Sequence, residues 1–158
     1  MSHTTTVQTT LTDKEFIKGA VDLLKEMDSG FEVIETNSVR LFQGVYEVKN
    51  GIAVKLKGWR YPVLIDLDTG KLYYDNYNGN WGSPLELKMF QLAYQASALL
   101  KGLEEMYKKG DITRSEYLKA KRELVKQLKE KRELNIKAYK EGRTPTKEEE
   151  KIRLQISL

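Results

Sequence analysis

The stretch from Gly58 to Gly102 decides the predicted fold, and it reads GWRYPVLIDLDTGKLYYDNYNGNWGSPLELKMFQLAYQASALLKG. Two short apolar runs, residues 63–67 and 71–75, lie on either side of a turn that contains Gly70. Apolar and aromatic runs of this length around a glycine turn are typical of an antiparallel hairpin. Pro62, which cannot donate a ladder hydrogen bond, stands where the first strand would begin. The first half of the stretch therefore predicts two paired strands.

The second half of the stretch predicts a long helix. Residues 76–82 form a loop that is rich in Asn, Gly and aromatic residues. Residues 83–86 (SPLE) have the capping-box pattern, with Pro84 at the first helical position, where its missing N–H costs nothing. Apolar residues recur at helical spacing from Leu85 to Leu103. We expect this amphipathic helix to lie across the sheet.

The residues before this stretch add further strands and one helix to the prediction. Residues 3–9 are rich in Thr and suit a strand. Residues 12–15 (TDKE) read as a capping box with Thr12 as the cap, followed by an amphipathic helix. Asn50-Gly51 is a strong hairpin dipeptide, and it separates residues 45–49 from residues 51–57. We therefore expect these two runs to pair with each other.

After Gly102 the sequence predicts a charged helical pair. Gly110 interrupts the helical pattern, and residues 113–116 (TRSE) open a second helix with another capping box. Residues 152–158 alternate apolar and polar side chains and predict a final strand. Such a strand must return to the sheet to find a partner, so the helices between would be an excursion from one sheet.

The predicted fold class is α+β. It consists of an antiparallel sheet of about five to six strands with helices on one face, a protruding C-terminal helical hairpin, and a final strand returning to the sheet. The length of 158 residues fits one domain with an appendage. Residues 1–103 together with 150–158 are predicted to form the α+β domain. Residues 104–149 are predicted to form a helical hairpin arm inserted before the last strand.

The opening MSHTTTVQTTLTDKEFIKGAVDLL resembles the start of a family of small uncharacterised proteins from cyanobacteria, plastid genomes, other bacteria and phages. Further residues that match the family in order are Gly30 to Val33, Tyr74-Asp75, Trp81-Gly82, Gln91, Tyr94 and Ile152 to Leu154. Members often carry a histidine in the second helix, where this chain has Gln95. That family has no established biochemical activity, so the resemblance implies a fold and no mechanism.

Residues 100–128 also resemble the short C-terminal helical-hairpin domain abbreviated SHOCT. In that pattern a Leu-rich helix precedes a Gly, which is followed by Ile-Thr, a Glu-aromatic pair, Lys and Leu. The matching residues in order are Gly110, Ile112, Thr113, Glu116, Tyr117, Lys121 and Leu124. Such hairpins are associated with oligomerisation or tethering, so the resemblance implies one of these roles for the helical pair.

The composition disfavours most kinds of catalysis. The chain has no cysteine, and therefore no thiolate nucleophile or thiolate metal site. His3 is the single histidine, which suits neither a Ser-His-Asp set nor a His-rich zinc site. No glycine-rich phosphate loop is present. We predict no catalytic residue, no cofactor and no metal, with an enzyme that uses Asp66 or Asp75 in acid–base chemistry as the remaining catalytic hypothesis.

The same composition predicts a cytoplasmic protein with no membrane partner. No run approaches the roughly 18 apolar residues of a membrane span. The first ten residues, MSHTTTVQTT, lack the charged and apolar regions of a signal peptide. A chain without cysteine also suits a reducing compartment.

The charge of the chain is unevenly distributed. The formal net charge is +4, but residues 101–158 hold 17 Lys and Arg and 11 Asp and Glu, whereas residues 1–100 are net negative. Basic segments often meet phosphate backbones or acidic protein surfaces. A solvated helix with interleaved Glu has the same composition, so both interpretations stay open.

The leading predicted function is an interaction or adaptor protein, bacterial or from a phage, that self-associates or docks a protein partner through the helical arm. The predicted partner-binding residues are Tyr117, Leu118, Leu124, Val125 and Leu128. The alternative is nucleic-acid binding by basic side chains and stacking aromatics. The residues predicted for that role are Lys126, Lys129, Lys131, Arg132, Tyr77 and Trp81.

An aromatic set in the central stretch fits either core packing or a contact surface. Its members are Trp59, Tyr61, Tyr73, Tyr74, Tyr77, Trp81 and Tyr94. On alternating strands some of these rings must point inward. Arg40, Lys55, Lys57 and Arg60 could join the others in a basic, aromatic surface on the outer face of the sheet.

Overall fold

The computed structural model describes residues 4–154. The strands are Thr5–Gln8 (β1), Glu32–Ile34 (β2), Ser38–Leu41 (β3), Gly44–Glu47 (β4), Gly51–Lys55 (β5), Val63–Asp66 (β6) and Lys71–Tyr74 (β7). The helices are Lys14–Met27 (α1), Pro84–Lys108 (α2) and Arg114–Lys140 (α3), with a 3-10 turn at Tyr77–Gly79. These elements confirm the predicted α+β class.

The main sheet is antiparallel, with five strands in the order β1-β7-β6-β5-β2. The predicted hairpin of β6 and β7 is confirmed, since Leu64 lies opposite Tyr73. The predicted pairing of β4 with β5 through Asn50-Gly51 is wrong. Strand β4 pairs with β3 in a separate hairpin, and β5 lies between β2 and β6. The main-chain carbonyl of Asn50 accepts the N–H of Leu67, so this dipeptide leads the chain from one sheet into the other.

Both faces of the central strands are buried, each by a different layer. Ile52 and Val54 of β5 face the helices and lie in the main core. Between them, Ala53 faces the other way and packs in a second cluster with Val39 and Leu41 of β3. The β3–β4 hairpin therefore covers the face of the sheet that the helices leave open. This arrangement explains why β5 and β6 are apolar at consecutive positions.

Helix caps set where the helices begin, and one of them differs from the prediction. Helix α1 is capped by Asp13, whose carboxylate accepts the N–H of Phe16 at 3.1 Å, and Thr12 lies outside it. Ser83 caps α2 as predicted, with its side chain accepting the N–H of Leu85, but the Glu86 carboxylate of the predicted capping box pairs with Arg132 instead. The predicted capping box at Thr113 is confirmed in both directions. A reciprocal box contributes about 1 kcal/mol to such a helix.

The C-terminal helical pair is confirmed, but α3 does not protrude as a free arm. Helix α3 contributes Leu124, Val125 and Leu128 to the main core, where they pack with apolar residues of α1, α2 and the sheet. Lys121 forms an ion pair with Glu26 near the end of α1, with 3.0 Å between Nζ and Oε1. Only the turn end of the pair has a separate small cluster, which contains Ile112. The apolar stripe of α3 is therefore satisfied within the chain.

The predicted final strand is absent from the described part of the segment after α3. Residues 151–154 form no strand, and the remaining residues of that prediction, 155–158, lie outside the described residues. The main-chain N–H of Arg153 donates to Oε1 of Gln127, and its carbonyl accepts from Nε2 of the same side chain. Ile152 is buried in the main core. An α3 side chain thus satisfies main-chain groups that a strand partner was expected to satisfy.

Candidate partner-binding surface

The loop after β7 starts at a buried carboxylate. Asp75 is fully buried, and its Oδ1 accepts the N–H of Tyr77 at 3.0 Å. This bond is an Asx turn, a local device that sets the path of the next residues. Tyr77 and Asn78 follow with φ of 47° and 53°. The left-handed region costs most L residues roughly 1–2 kcal/mol but is tolerated by Asn, so Tyr77 is the residue that the loop holds in an unfavourable conformation.

The end of the loop is fixed by packing against Trp59. A Cβ on Gly82 would lie 2.4 Å from Cδ2 of the Trp59 indole, so only glycine fits there. Trp59 donates from Nε1 to the carbonyl of Ser83 at 3.0 Å. Asn76 donates from its side-chain amide to the carbonyl of Gly82, and its own carbonyl accepts the N–H of Trp81. Hydrogen bonds across the loop therefore hold it closed.

Trp81 is the centre of a cluster of aromatic side chains. Tyr77 stacks on it, with ring centroids 4.8 Å apart and planes inclined by 25°. Phe42 and Tyr61 approach it with centroid distances of 5.4 and 5.8 Å. Arg60 places its guanidinium carbon 4.8 Å from the centroid, within the range of a cation–π interaction. We call these five residues the Trp81 patch.

The Trp81 patch is open to solvent at the turn between β3 and β4. Phe42, in that turn, is 60% exposed. Nearby on β4, Val45 is 65% exposed and lies opposite Arg40 in the register of the hairpin. Arg40 and Arg60 are both exposed. Clustered exposure of large apolar side chains is characteristic of interaction sites, whereas single exposed ones are common everywhere.

The other rings of the predicted aromatic set pack in or against the core. Trp59 is buried, and Tyr74 packs edge-on against it at 5.5 Å. Burial raises the pKa of Tyr74. Tyr94 accepts the N–H of Asp13 at its hydroxyl. Tyr73 packs in the cluster under the β3–β4 hairpin. The structure thus divides the set into core residues and the members of the Trp81 patch.

The partner-binding residues predicted on α3 lie mostly inside the molecule. Leu124 and Leu128 are fully buried, and Val125 is buried as well. Tyr117 and Leu118 are half-buried, and Tyr117 stacks on Tyr107 with centroids 5.7 Å apart. A partner could reach the first three side chains only if α3 separated from the core. The accessible part of the predicted face is therefore limited to Tyr117 and Leu118.

The basic side chains predicted on α3 fall into two groups. Arg132 forms an ion pair with Glu86 of α2, and both side chains are largely buried. Lys131 donates to the main-chain carbonyl of Glu149. These two cations hold the helices and the following segment in place. The other two residues, Lys126 and Lys129, are exposed, and neither forms an ion pair within residues 4–154.

The carboxylates considered for acid–base chemistry accept main-chain hydrogen bonds that stabilise turns. Oδ1 of Asp66 accepts the N–H groups of Asp68 and Thr69 at 2.9 and 3.3 Å, which closes the β6–β7 turn. Asp75 orders the loop that carries Tyr77. Among the described residues, no cluster of three or more His, Asp or Glu side chains could hold a metal ion. No helix formed by residues 4–154 combines the length and apolar character needed to cross a membrane.

Sequence reasoning identified Tyr61, Arg60, Tyr77 and Trp81 as candidates but missed Phe42. Phe42 follows β3 at a hairpin turn, and its contact with Trp81 spans 39 positions of the chain. The only local signal was a large apolar residue in a turn, where exposure is expected. No protein-family model, curated protein or solved structure matches this chain. The two family resemblances described above therefore stay predictions.

Proposed function

We propose that this protein is a non-enzymatic interaction protein that docks a protein partner on the Trp81 patch. The observation that supports it is the cluster itself, in which an exposed Phe, two Tyr and an Arg all contact one Trp. Trp, Tyr and Arg are the residues that most often dominate the binding energy of protein interfaces. The proposal keeps the predicted adaptor role and moves its contact surface from α3 to the β3–β4 side of the sheet.

The order of the loop also supports this proposal. The bond that the Asp75 carboxylate accepts, the bond that the Asn76 amide donates and the packing of Gly82 hold Tyr77 and Trp81 in place before any partner arrives. A preformed surface loses little conformational entropy when it binds, and this improves affinity. Unfavourable backbone conformations are found preferentially at sites of function.

Affinity capture from a lysate of the source organism tests the proposal. The full chain, a Phe42→Ser variant and an Arg122→Gln variant are immobilised side by side. Arg122 is an exposed residue of α3 and serves as the control. We expect the unchanged chain and the control to retain a partner that Phe42→Ser loses. Equal retention by all three chains would contradict docking on the patch.

Nucleic-acid binding is the second candidate, and the stack of Tyr77 on Trp81 beside Arg60 is the observation that favours it. Base stacking on aromatic side chains contributes about 1–3 kcal/mol per base. Fluorescence anisotropy with labelled single- and double-stranded DNA and RNA at two salt concentrations tests it. Binding that weakens steeply with salt supports this candidate, and no binding at low salt rejects it.

Self-association through the helical pair is a further form of the adaptor proposal. Tyr107 is 39% exposed and stacks on Tyr117 near the turn between α2 and α3. Light scattering on the unchanged chain and on a Tyr107→Ser variant, over a range of concentrations, measures the oligomeric state. A dimer lost in the variant supports this form, and a monomer in both rejects it.

A further inference from the structure

The Trp81 patch carries positive charge that the described residues do not neutralise. Arg60 and the adjoining Arg40 are exposed, and neither forms an ion pair within residues 4–154. By contrast, the guanidinium of Arg132 is held by Glu86. The acidic residue on the outward face of the β3–β4 hairpin is Glu47, which lies opposite Ser38 at the far end of the ladder from Phe42. A partner that covers Phe42 therefore meets arginines that still need acceptors.

A concave surface whose lining includes basic side chains lies on the other side of the loop. This loop groove has a volume of about 760 Å³ and is bounded by residues 78–80, the start of α2 and the end of α3. Its lining includes Lys88, Lys140 and Arg143 and contains no Asp or Glu among the described residues. Lys140 forms no ion pair within residues 4–154, whereas carboxylates outside the lining already pair with Lys88 and Arg143. Tyr139, at the rim, is 87% exposed.

The patch and the groove share the loop, so one extended ligand could contact both. Tyr77 and Trp81 face the patch, and residues 78–80 line the groove. We infer that the partner is an acidic peptide segment with an apolar anchor, which packs on the Trp81 patch and extends over the loop into the basic groove. This inference rests on the proposed docking role of the patch.

The chemistry of the surface favours such a peptide over a nucleic acid. Val45, which lies near the patch on β4 and is 65% exposed, offers no ring for a base to stack on. Tyr77 and Arg60 already cover the Trp81 indole, which leaves less of its ring for a base. Burying an arginine is unfavourable unless an acceptor pairs with it, and a carboxylate supplies a planar, bidentate acceptor. A symmetric contact between two copies would instead bring like charges together.

Selection from a random-peptide display library against the immobilised full chain tests the inference without choosing a sequence in advance. We expect the enriched peptides to combine Asp or Glu with an aromatic or aliphatic residue. A synthetic copy of the strongest peptide should lose about tenfold or more in affinity for Arg60→Gln and for Phe42→Ser. Lys140→Gln should weaken binding by a smaller factor, and Arg122→Gln should leave it unchanged.

The outcomes separate this inference from the proposed function. The inference of an acidic partner is overturned if the enriched peptides are neutral or basic. It is also overturned if they bind Arg60→Gln with the same affinity as the unchanged chain. If those peptides still require Phe42, the docking role of the patch survives. If no peptide is enriched, the inference of an acidic partner is wrong as well. A labelled oligo-dT that binds through Phe42 and Arg60 more tightly than the best peptide identifies nucleic acid as the ligand and overturns both claims about a protein partner.

Discussion

Helix α3 and the loop of residues 76–82 both read as contact surfaces in the sequence, yet the fold treats them in opposite ways. Leu124 and Leu128 of α3 are fully buried against the rest of the chain. The loop and the adjoining β3–β4 turn leave Phe42 60% exposed beside Trp81. The apolar stripe of α3 is satisfied because α1, α2 and the sheet lie within its reach. The rings of the loop pack on each other and on Phe42 and Tyr61, and this cluster stays open to solvent at Phe42.

The largest expected effect tests whether α3 belongs to the core. Leu128→Ala should lower the free energy of unfolding by about 3–4 kcal/mol, because it leaves a cavity in a fully buried site. Chemical denaturation measures this loss. Leu118→Ala, at a half-buried position of the same helix, is the control and should cost clearly less. Similar small losses in both variants would mean that α3 is the loosely attached arm that the sequence suggested.

The next effect sharpens the role of the basic residues on α3. Arg132→Met should cost about 2–3 kcal/mol of unfolding free energy, because it leaves the largely buried carboxylate of Glu86 without its cation. Arg122→Met, at an exposed position, should change stability by less than about 0.5 kcal/mol. Thermal and chemical unfolding compare the two variants. If both are neutral, Arg132 is free for phosphate contacts and the nucleic-acid candidate gains support.

Two Gly→Ala substitutions, one in the loop and one in α2, test whether the loop is as closely packed as the core. Gly82→Ala should cost roughly 1–3 kcal/mol, because the added Cβ would lie 2.4 Å from the Trp59 ring. Gly102→Ala in α2 is the matched control, since its Cβ would meet nothing within 4 Å. That substitution should stabilise the helix by about 0.5–1 kcal/mol. A neutral Gly82→Ala would show that the loop adapts and does not present a preformed surface.

The smallest effect concerns a surface contact on the helical side. Hydrogen bonds and ion pairs from Lys14 and Lys18 hold the pKa of Glu35 below its usual value. A lowered folded-state pKa contributes stability above the usual value of 4.5, and this contribution is lost as the pH falls through the lowered pKa. Glu35→Gln should therefore be slightly less stable than the unchanged chain at neutral pH and equally stable in strong acid. A constant difference across that range would contradict this assignment.

Features set by neighbouring residues could be predicted from the sequence. The caps at Ser83 and Thr113 and the β6–β7 hairpin depend on local hydrogen bonds and turn residues, and all three are confirmed. Asn50-Gly51 is also a local signal, but the hairpin that it predicted between β4 and β5 is wrong because β5 pairs with β2 and β6. Periodicity identified the apolar stripe of α3 without showing what the stripe contacts.

The candidate surface depends on contacts that no local pattern encodes. The pair of Glu86 and Arg132 joins residues 46 positions apart, and it removes one predicted phosphate contact from the surface. Phe42 reaches Trp81 only because the β3–β4 hairpin folds over the sheet. The aromatic composition of the central stretch was visible in the sequence, but its division into core and surface followed from strand register.

Equilibrium binding of the captured partner to Phe42→Ser and Leu118→Ala, measured side by side, tests the central claim most directly. Both positions lie outside the fully buried core, so both variants should fold. Docking on the Trp81 patch predicts a loss of about tenfold or more for Phe42→Ser and little change for Leu118→Ala. The reverse order would place the contact surface on α3 and contradict the account.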